Sequence, residues 1–464
     1  MKNNNRRQFL AGTLAVVGAT AFKVHAQPKQ RPNVLVILAD EMSIDALSAT
    51  IGKRFVDTPN LDALREKSMY FSRAYVANPL CVPSRTAMFT GRFPVETCVQ
   101  TNDKTPIDPI RFPCIASSFQ AAGYRTGYFG KWHLLYPEKE AASRVHGFEH
   151  MASEVVDVDT AAHVNEFISQ SSDKPFFAVA SFLNPHNICE WARGNTLNQG
   201  AIGDPPSADK CPPLRANHGV MKDEPVILTK VREAYHNSPL FPVGDFDDAK
   251  WRQYEWAYYR LVERVDALIG TVLSHLTAHQ MDQNTVVLFT ADHGDCQGAH
   301  FFNQKTVLFE EAARVPFMLS YPPRIKPGST GVLVNTGVDF LPTLLDFAEI
   351  KPTTPVRGLS LVPVATGRVK DLRRTFVVTT DHLIQGGLVD GVEYKPEGRM
   401  LRTDRYKYTA YSEGASREAL VDLDQDPGEV NNLAHDPKYQ KVLMEHRATL
   451  RQWGNELNDK FPYL

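Results

Sequence analysis

Val34-Leu35-Val36-Ile37-Leu38 is an uninterrupted apolar run that ends on Ala39-Asp40-Glu41. A strand without polar alternation is typical of a sheet that is covered on both faces, because both sets of its side chains are buried. Ionisable residues directly after such a strand lie at its carboxyl end, which is the edge where open α/β sheets bind ligands. The run therefore predicts an α/β fold and places Asp40 and Glu41 at a ligand-binding edge.

The same pattern recurs in three later segments. Residues 125–129, 176–182 and 285–290 are predicted strands, and each of them is followed by polar residues. Because carboxyl ends of neighbouring strands meet at one edge, we expect the residues that follow to converge on a single crevice. Those residues are Gly130-Lys131-Trp132-His133, Asn184-Pro185-His186 and Asp292-His293-Gly294-Asp295.

Composition narrows the class of protein. The chain has 464 residues, of which 43% are hydrophobic and 22% are charged, as in ordinary globular proteins. This length is enough for one large domain and a smaller one. The formal net charge of -2 gives no bulk attraction to nucleic acid, so no nucleic-acid partner is expected. After the N-terminal region, no segment has the sequence of a membrane-spanning helix.

Residues 1–27 have the pattern of an export signal. Arg6-Arg7 is followed by an apolar stretch from Phe9 to Phe22, and Val24-His25-Ala26 resembles a cleavage site before Gln27. This pattern predicts a twin-arginine signal peptide, with the twin-arginine export machinery as a partner and a periplasmic or secreted location. That route carries folded proteins, so folding and any enzymatic oxidation of a cysteine side chain would take place before export.

The remaining chain divides into two predicted regions. Residues 31–365 carry the strands described above and form the predicted catalytic α/β domain. Residues 366–464 have short antiparallel-strand patterns and a closing helix over residues 438–457, which predicts a smaller α+β subdomain. Residues 191–247 lack periodicity and are rich in Pro, Gly and Asn, so they form either a flap over the crevice or a surface loop.

Three motifs carry a family resemblance. Cys81-Val82-Pro83-Ser84-Arg85-Thr86 with Gly91-Arg92 resembles the signature of the type I, formylglycine-dependent sulfatases. Gly130-Lys131-Trp132-His133 resembles the second motif of that family, and the tail segments 402–408 and 423–432 resemble its C-terminal subdomain. The Lys-Trp-His and Asp-His-Gly-Asp forms are similar to the branch that holds iduronate, choline and bacterial glycan sulfatases. The resemblance covers residues 31–461 and implies an alkaline-phosphatase-like large mixed sheet flanked by helices.

The resemblance implies that Cys81 is a precursor. In the family, a formylglycine-generating maturation enzyme oxidises this cysteine to Cα-formylglycine. One hydroxyl of the hydrated aldehyde attacks sulfur, and the other then loses a proton, which releases sulfate without a separate hydrolysis step.

The resemblance also implies one Ca2+ ion. Asp40, Asp292, His293 and position 81 stand where the family places metal ligands, and carboxylate oxygens suit a hard cation. The family commonly has a second Asp after the first, whereas this chain has Glu41. The longer side chain of Glu41 either reaches the ion or faces away from it.

The family resemblance also implies catalytic roles for five residues. Arg85 would hold the aldehyde hydrate, Lys131 would contact sulfate, and His133 would orient or deprotonate the hydrate. His186 is the predicted general acid for the leaving oxygen, because histidine titrates near neutral pH. Lys305 would clamp sulfate and donate to the bridging oxygen. Cations and a metal around a dianionic transition state are the expected form of electrostatic catalysis.

Substrate selection must lie outside the sulfate pocket. Glu190, Trp191, His300 and Asn303 are the candidate substrate-binding residues. Trp191 either stacks on a sugar ring or belongs to the core.

Three functions remain open from the sequence. The first is hydrolysis of sulfate monoesters on a sulfated saccharide. The second is a phosphodiesterase or phosphonate monoester hydrolase of the same superfamily, because phosphate and sulfate esters have similar shapes. The third is a non-catalytic protein that binds sulfated glycans, which would result if Cys81 stayed a thiol.

Overall fold

A computed structural model describes residues 31–464 except 104–105, 137–141, 373, 384–387, 390–391 and 394. The predicted signal peptide, residues 1–27, lies outside these described residues. Residues 32–464 form one compact unit. Among the helices that are described, none is both long enough and apolar enough to cross a bilayer.

The centre of this unit is a sheet of eight strands. They are β1 (Asn33–Asp40), β2 (Met69–Tyr75), β3 (Arg125–Gly130), β4 (His150–Ser153), β5 (Phe176–Pro185), β6 (Thr285–Ala291), β7 (Phe317–Ser320) and β8 (Gly328–Asn335). Their order across the sheet is β4-β3-β5-β1-β6-β7-β2-β8. β7 runs antiparallel to both of its neighbours and the other pairs are parallel, so the sheet is mixed as predicted.

β1 lies in the middle of the sheet and fixes the binding edge. It pairs in parallel with β5 on one side and with β6 on the other, and Leu38 stands opposite both Ser181 and Thr290. Residues 34–40 are all buried. Because the three strands share one direction and one register, their polar C-terminal residues meet at the same edge, which confirms the expected convergence.

Helices cover both faces of the sheet. Leu35, Ile37 and Ala39 belong to the hydrophobic core on one face, and Val34 and Val36 belong to the core on the other. This alternation follows from the two-residue period of a strand. The helices are α1 (Ser48–Ile51), α2 (Pro59–Glu66), α3 (Cys81–Thr90), α4 (Pro94–Thr97), α5 (Ile115–Ala121), α6 (Ser143–His146), α7 (Asp157–Ser169), α8 (Ile188–Ala192), α9 (Val226–His236), α10 (Asp248–Ala278), α11 (Glu310–Ala313), α12 (Thr336–Phe347), α13 (Val362–Ala365) and α14 (Gln440–Leu457).

The C-terminal region forms a second, antiparallel sheet. Its strands are β9 (Val377–His382), β12 (Glu397–Arg402), β13 (Tyr406–Tyr411) and β14 (Glu418–Asp422), and a short pair, β10 (Leu388–Val389) and β11 (Val392–Glu393), stands apart. α14 buries Leu443, Leu450 and Trp453 in a core with this sheet. These elements are the predicted antiparallel strands and closing helix. The domain boundary at residue 365 remains a prediction.

Residues 191–247 differ from their prediction. Instead of being wholly irregular, the segment contains α9, whose Ile227, Leu228, Val231 and Tyr235 are buried in a hydrophobic core. These positions follow the spacing of an amphipathic helix, which the irregular, Pro-rich sequence around them obscures. The part of the segment around α9 is therefore packed structure, whereas residues 193–207 are irregular and, apart from Leu197, at least partly exposed.

Candidate active site

Cys81 is the first residue of α3, at the carboxyl edge of the sheet. Leu80 before it is extended, and Gly91 ends the helix with a φ of 66°, a left-handed conformation that glycine adopts without steric cost. Ser84 anchors the helix to the end of β6, because its Oγ donates to the Asp292 carbonyl at 2.6 Å. The first turn of a helix exposes unpaired N–H groups, so this position favours negative charge.

Four buried side chains from three segments meet at this point. The ligand atoms of Asp40, Cys81, Asp292 and His293 all lie within 4.8 Å of one another. The Cys81 sulfur is 3.2 Å from His293 Nε2 and 3.9 Å from Asp40 Oδ1. The structure thus brings together the four residues that the resemblance names as the centre of the site.

Arg85 holds the two carboxylates of this cluster. Its Nε donates to Asp292 Oδ2 at 2.7 Å, and its Nη2 lies 3.4 Å from Asp40 Oδ2. Its Nη1 donates to the Lys131 carbonyl at 2.9 Å and to Ser181 Oγ at 2.8 Å. The side chain is fully buried. These contacts place Arg85 against the carboxylates, and it also interacts electrostatically with Cys81, so its role in holding the aldehyde hydrate stays a prediction.

The cluster fits a divalent cation. Two buried carboxylates and one imidazole are oxygen and nitrogen donors, and carboxylates removed from water require nearby positive charge. Asp40, Asp292, His293 and position 81 would hold the ion. When bound, it would polarise the sulfonate oxygens and stabilise negative charge on the attacking oxygen.

Cations surround the Cys81 thiol from the other side. Lys131 Nζ is 3.7 Å from the sulfur and also contacts the Asp40 carboxylate. Burial alone would raise the pKa of the Cys81 thiol, but the charges of Lys131, Lys305 and His293 hold that pKa well below its usual value. A hydrogen bond with His133 adds to this effect. Position 81 is therefore a place where the protein stabilises an anion.

Glu41 does not join the carboxylate cluster. Its Oε2 is 2.8 Å from Lys305 Nζ and 3.6 Å from His186 Nε2, and the Cys189 thiol lies 3.3 Å away. Burial is the main reason why its pKa rises to about 8, against the opposing charge of Lys305. The backbone of Glu41 is left-handed, with a φ of 68°, which turns the side chain away from Asp40. In this structure the nearest charged partner of Glu41 is Lys305, and its role as a metal ligand stays a prediction.

His186 lies beside the Cys81 thiol, but its imidazole is not in the charged form that its predicted role as a general acid requires. A hydrogen bond links it to Cys81. Burial and the charges of Lys305 and Lys131 lower the pKa of His186 to about 3, so its imidazole is neutral near pH 7. A neutral imidazole does not protonate a leaving oxygen as an imidazolium does, whereas the ammonium group of Lys305 carries the proton that this step needs.

The four candidate substrate-binding residues separate into different environments. Both carboxylate oxygens of Glu190 are engaged, one with Arg193 at 2.6 Å and the other with Asn195 at 2.7 Å. Trp191 packs edge-on against Tyr254, and Lys250 Nζ lies 4.1 Å from the centre of its ring. Glu190 and Trp191 are therefore both engaged with neighbouring side chains, and their contact with a substrate stays a prediction.

His300 and Asn303 are buried. The His300 ring stacks on Phe309 with a centroid distance of 3.8 Å and is fully buried, and its predicted substrate contact stays a prediction. Asn303 is also fully buried, and neither amide atom has a hydrogen-bond partner within the described residues. The polar character of a residue in the sequence does not by itself show that its side chain is exposed.

The sequence did not single out several residues that shape the site. Ser181 lies inside an apolar strand, and its hydroxyl bridges Arg85 and the Lys131 carbonyl. Tyr128 also donates to the Lys131 carbonyl, at 2.5 Å. A polar residue within an otherwise apolar buried strand was the available signal for Ser181, because buried hydroxyl groups need partners.

Comparison with known proteins agrees with this geometry. The family model described as Sulfatase matches residues 32–350, and the model described as N-sulphoglucosamine sulphohydrolase, C-terminal, matches residues 298–456. A Delta 4,5-hexuronate-2-O-sulfatase from Bacteroides thetaiotaomicron is 32% identical, over 97% of this chain and 93% of that protein. An ulvan-active sulfatase from Formosa agariphila is 30% identical, over 93% and 82%.

A solved structure described as a 2-O GAG sulfatase superposes with a TM-score of 0.81 at 30% identity, covering 93% of this chain and 94% of that one. The chain belongs to the sulfatase family and is a sulfuric ester hydrolase. The predicted alkaline-phosphatase-like architecture, with a large mixed sheet and a small C-terminal antiparallel sheet, is confirmed.

Proposed function

We propose that this sulfatase hydrolyses sulfate monoesters on a sulfated saccharide, with a formylglycine made from Cys81 and one bound Ca2+ ion. The observation that carries the proposal is the position of the Cys81 sulfur, between buried carboxylates and buried lysines. A thiol that only filled core space would lie among apolar side chains. Here the sulfur stands in for the oxygens of the hydrated aldehyde.

The saccharide substrate is supported by the relatives. Their names specify a Delta 4,5-hexuronate 2-O-sulfate and activity on ulvan, and each relative aligns over more than nine-tenths of this chain. We therefore take 2-O-sulfated hexuronates as the first substrates to test.

The charged and neutral side chains at the site would have separate roles in the proposed reaction. Lys131 and Lys305 would bind the sulfonate oxygens, because both ammonium groups are buried next to position 81. His133 would hold the proton of the attacking hydroxyl, from its hydrogen bond to that position. Lys305 would donate the proton to the leaving sugar oxygen, and neutral His186 would orient that oxygen.

Calcium is proposed because the donor set is rich in carboxylate oxygen. Arg85 holds Asp40 and Asp292 in fixed positions, so the two carboxylates need no rearrangement to receive an ion. The maturation enzyme is a required partner, because oxidation of a buried cysteine to an aldehyde needs a dedicated catalyst.

The experiment is a substrate panel on protein that was co-expressed with a formylglycine-generating enzyme. The panel contains an unsaturated hexuronate 2-O-sulfate disaccharide, 6-O-sulfated N-acetylglucosamine, 4-nitrophenyl sulfate and 4-nitrophenyl phosphate. We expect sulfate release from at least one sulfated sugar with a higher kcat/KM than from either nitrophenyl ester, and no activity in the Cys81→Ala variant. A preference for the phosphate ester would instead identify a phosphohydrolase, and binding without turnover would identify a glycan-binding protein.

We also propose that the protein is exported to the periplasm or outside the cell by the twin-arginine route. Support comes from the Arg6-Arg7 pair and the apolar stretch that follows it. Fractionation of cells that express the full chain should find the processed protein in the periplasm or the medium. The Arg6→Lys, Arg7→Lys double variant should remain in the cytoplasm, and equal export of both proteins would contradict the proposal.

A further inference from the structure

Asn78 and Asp381 are two buried polar residues whose side chains lack well-formed hydrogen bonds among the described residues. Both side chains have zero relative exposure, and none of their four nitrogen and oxygen atoms has a hydrogen-bond partner within the described residues. Buried polar atoms are nearly always paired, so two side chains that lack well-formed hydrogen bonds require an explanation. A ligand that is absent from a free protein is one such explanation.

The backbone places these two residues next to each other. Asn78 lies three residues before Cys81, on the segment that leads into α3. The end of β9 runs beside that segment, because Thr380 N donates to the Ala77 carbonyl at 2.9 Å and Thr379 Oγ1 donates to the Val76 carbonyl at 2.6 Å. Asp381 follows Thr380 directly and therefore comes alongside Asn78.

A second set of contacts ties the same region to Lys305. Thr306, the next residue, donates from its backbone N to the Pro79 carbonyl at 3.2 Å and from its hydroxyl to the Leu383 carbonyl at 3.3 Å. Burial raises the pKa of Asp381 well above its ordinary value, and the backbone N–H of His382 and the charges of Arg399 and His293 act against that rise. The contacts of Thr306 link the segment after β9, close to Asp381, to the residue that follows Lys305.

Burial does not place these residues outside the substrate pocket. The groups that face the sulfate are just as enclosed, since Cys81 is 1% exposed, Lys131 is 4% exposed and Lys305 is 5% exposed. Low exposure is therefore a property that Asn78 and Asp381 share with the residues of the reacting centre.

A carboxyl group accepts hydrogen bonds at both of its oxygens, and an amide donates two and accepts two. Side by side, these groups match neighbouring hydroxyl groups of a sugar ring, each of which both donates and accepts. We propose that Asn78 and Asp381 form a subsite that binds the hydroxyl groups of the sugar ring whose sulfate is cleaved. This inference rests on the proposed saccharide substrate, and it assigns to the C-terminal sheet a part in substrate selection.

The test compares a sugar substrate with one that has no ring hydroxyl groups. For Asp381→Asn and Asn78→Ser, kcat/KM is measured on the best sulfated sugar of the panel and on 4-nitrophenyl sulfate. We expect the ratio of the two values to fall by at least about tenfold in both variants, mainly through a higher KM for the sugar, because a site built for hydroxyl groups depends on them. Asp266→Asn is the matched control: Asp266 is 2% exposed but is hydrogen-bonded to Asn60 and Leu61, on α2.

A ratio within twofold of the wild-type value in a folded variant would overturn the inference. Thermal unfolding identifies the folded variants, and if Asp381→Asn does not fold, Asn78→Ser decides. The inference fails separately from the proposed function: a wild-type protein that cleaves the sugar, with unchanged ratios in the variants, rejects only the subsite. A wild-type protein that cleaves 4-nitrophenyl sulfate and no sugar rejects both.

Discussion

At the scale of single residues, the site depends on how buried charges are paired. Asp40 and Asp292 are fully buried, and Arg85 contacts both of them from behind. Removing one partner from such a group leaves uncompensated charge in a medium of low polarity, which costs far more than losing an exposed ion pair. Arg85 therefore contributes both to stability and to the position of the two carboxylates.

The first prediction concerns Arg85→Ala. Because buried Asp292 loses its arginine partner and Asp40 is left with Lys131, we expect the free energy of unfolding to fall by about 3–5 kcal/mol, with loss of sulfatase activity. Urea denaturation measures the change. Lys53→Ala, which removes an exposed pair with Asp57, is the control and should leave stability unchanged. An Arg85→Ala variant as stable as the control would show that the carboxylates are not charged in the folded protein.

The second prediction concerns calcium. If Asp40, Asp292 and His293 hold the ion, the ion stabilises the folded state by mass action. We expect Ca2+ to raise the Tm of the wild-type protein and a chelator to abolish its activity. Asp292→Asn should show a much smaller Tm shift with Ca2+, whereas Glu41→Gln should keep most of the shift, because Glu41 faces Lys305. Equal loss in both variants would make Glu41 a ligand.

The third prediction concerns His300 and pH. Burial, together with the charges of Lys407 and Arg232, lowers its pKa from 6.5 to about 3. Between these two values the unfolded chain binds more protons than the folded protein, so the stability is fully present above pH 6.5 and is lost as the pH falls towards 3. Between pH 6.5 and pH 5, this single group should remove up to about 2 kcal/mol.

The measurement for His300 is urea denaturation at both pH values. His300→Gln does not titrate, so the variant should lose less stability on acidification than the wild-type protein does. If the two proteins lose the same free energy, the imidazole is protonated in the folded state and its burial has been misjudged.

At the scale of elements, the C-terminal sheet is joined to the catalytic region by buried charge. Lys407 on β13 lies 2.8 Å from Glu429 and 3.4 Å from Glu310 on α11, and all three side chains are largely buried. Tyr75 at the end of β2 donates to the other oxygen of Glu310 at 2.9 Å. One lysine therefore connects a strand of the second sheet to the segment that follows the Lys305 loop.

The fourth prediction tests this connection. Lys407→Met leaves buried Glu429 without its cation and Glu310 with only the longer ion pair to Arg314, and we expect a loss of about 3–5 kcal/mol in stability. The triple variant Lys407→Met, Glu310→Gln, Glu429→Gln removes the charges together and should recover most of that loss. Urea denaturation of both proteins measures the difference. A triple variant no more stable than Lys407→Met would mean that the cost comes from packing and not from charge.

At the scale of the whole molecule, the sequence predicted the parts that depend on periodicity and on local motifs. The apolar run at residues 34–38 predicted the central strand, because a short, continuous apolar run that ends on polar residues is typical of a strand buried on both faces. The convergence of Asp40, Cys81, His186 and Asp292 followed, since parallel strands in register deliver their ends to one edge.

The remaining features depend on tertiary packing, which leaves no local pattern. The direction of the Glu41 side chain is set by the backbone turn after Asp40 and by Lys305, which lies 264 positions away in the chain. The burial of His300 depends on Phe309 and on α9, a helix that the sequence did not reveal. Asn78 and Asp381 come alongside each other through contacts of neighbouring residues, between the segment before α3 and β9. Neither residue belongs to a recognisable motif.

The central claim of this account is that the thiol at position 81 is replaced by an aldehyde in the working enzyme. Mass spectrometry of the proteolytic peptide that contains residue 81 tests it most directly, on protein made with and without the maturation enzyme. The account predicts the aldehyde in that peptide, in a fraction that rises in proportion to sulfatase activity. Full activity in a preparation whose peptides all carry an unmodified thiol would contradict it.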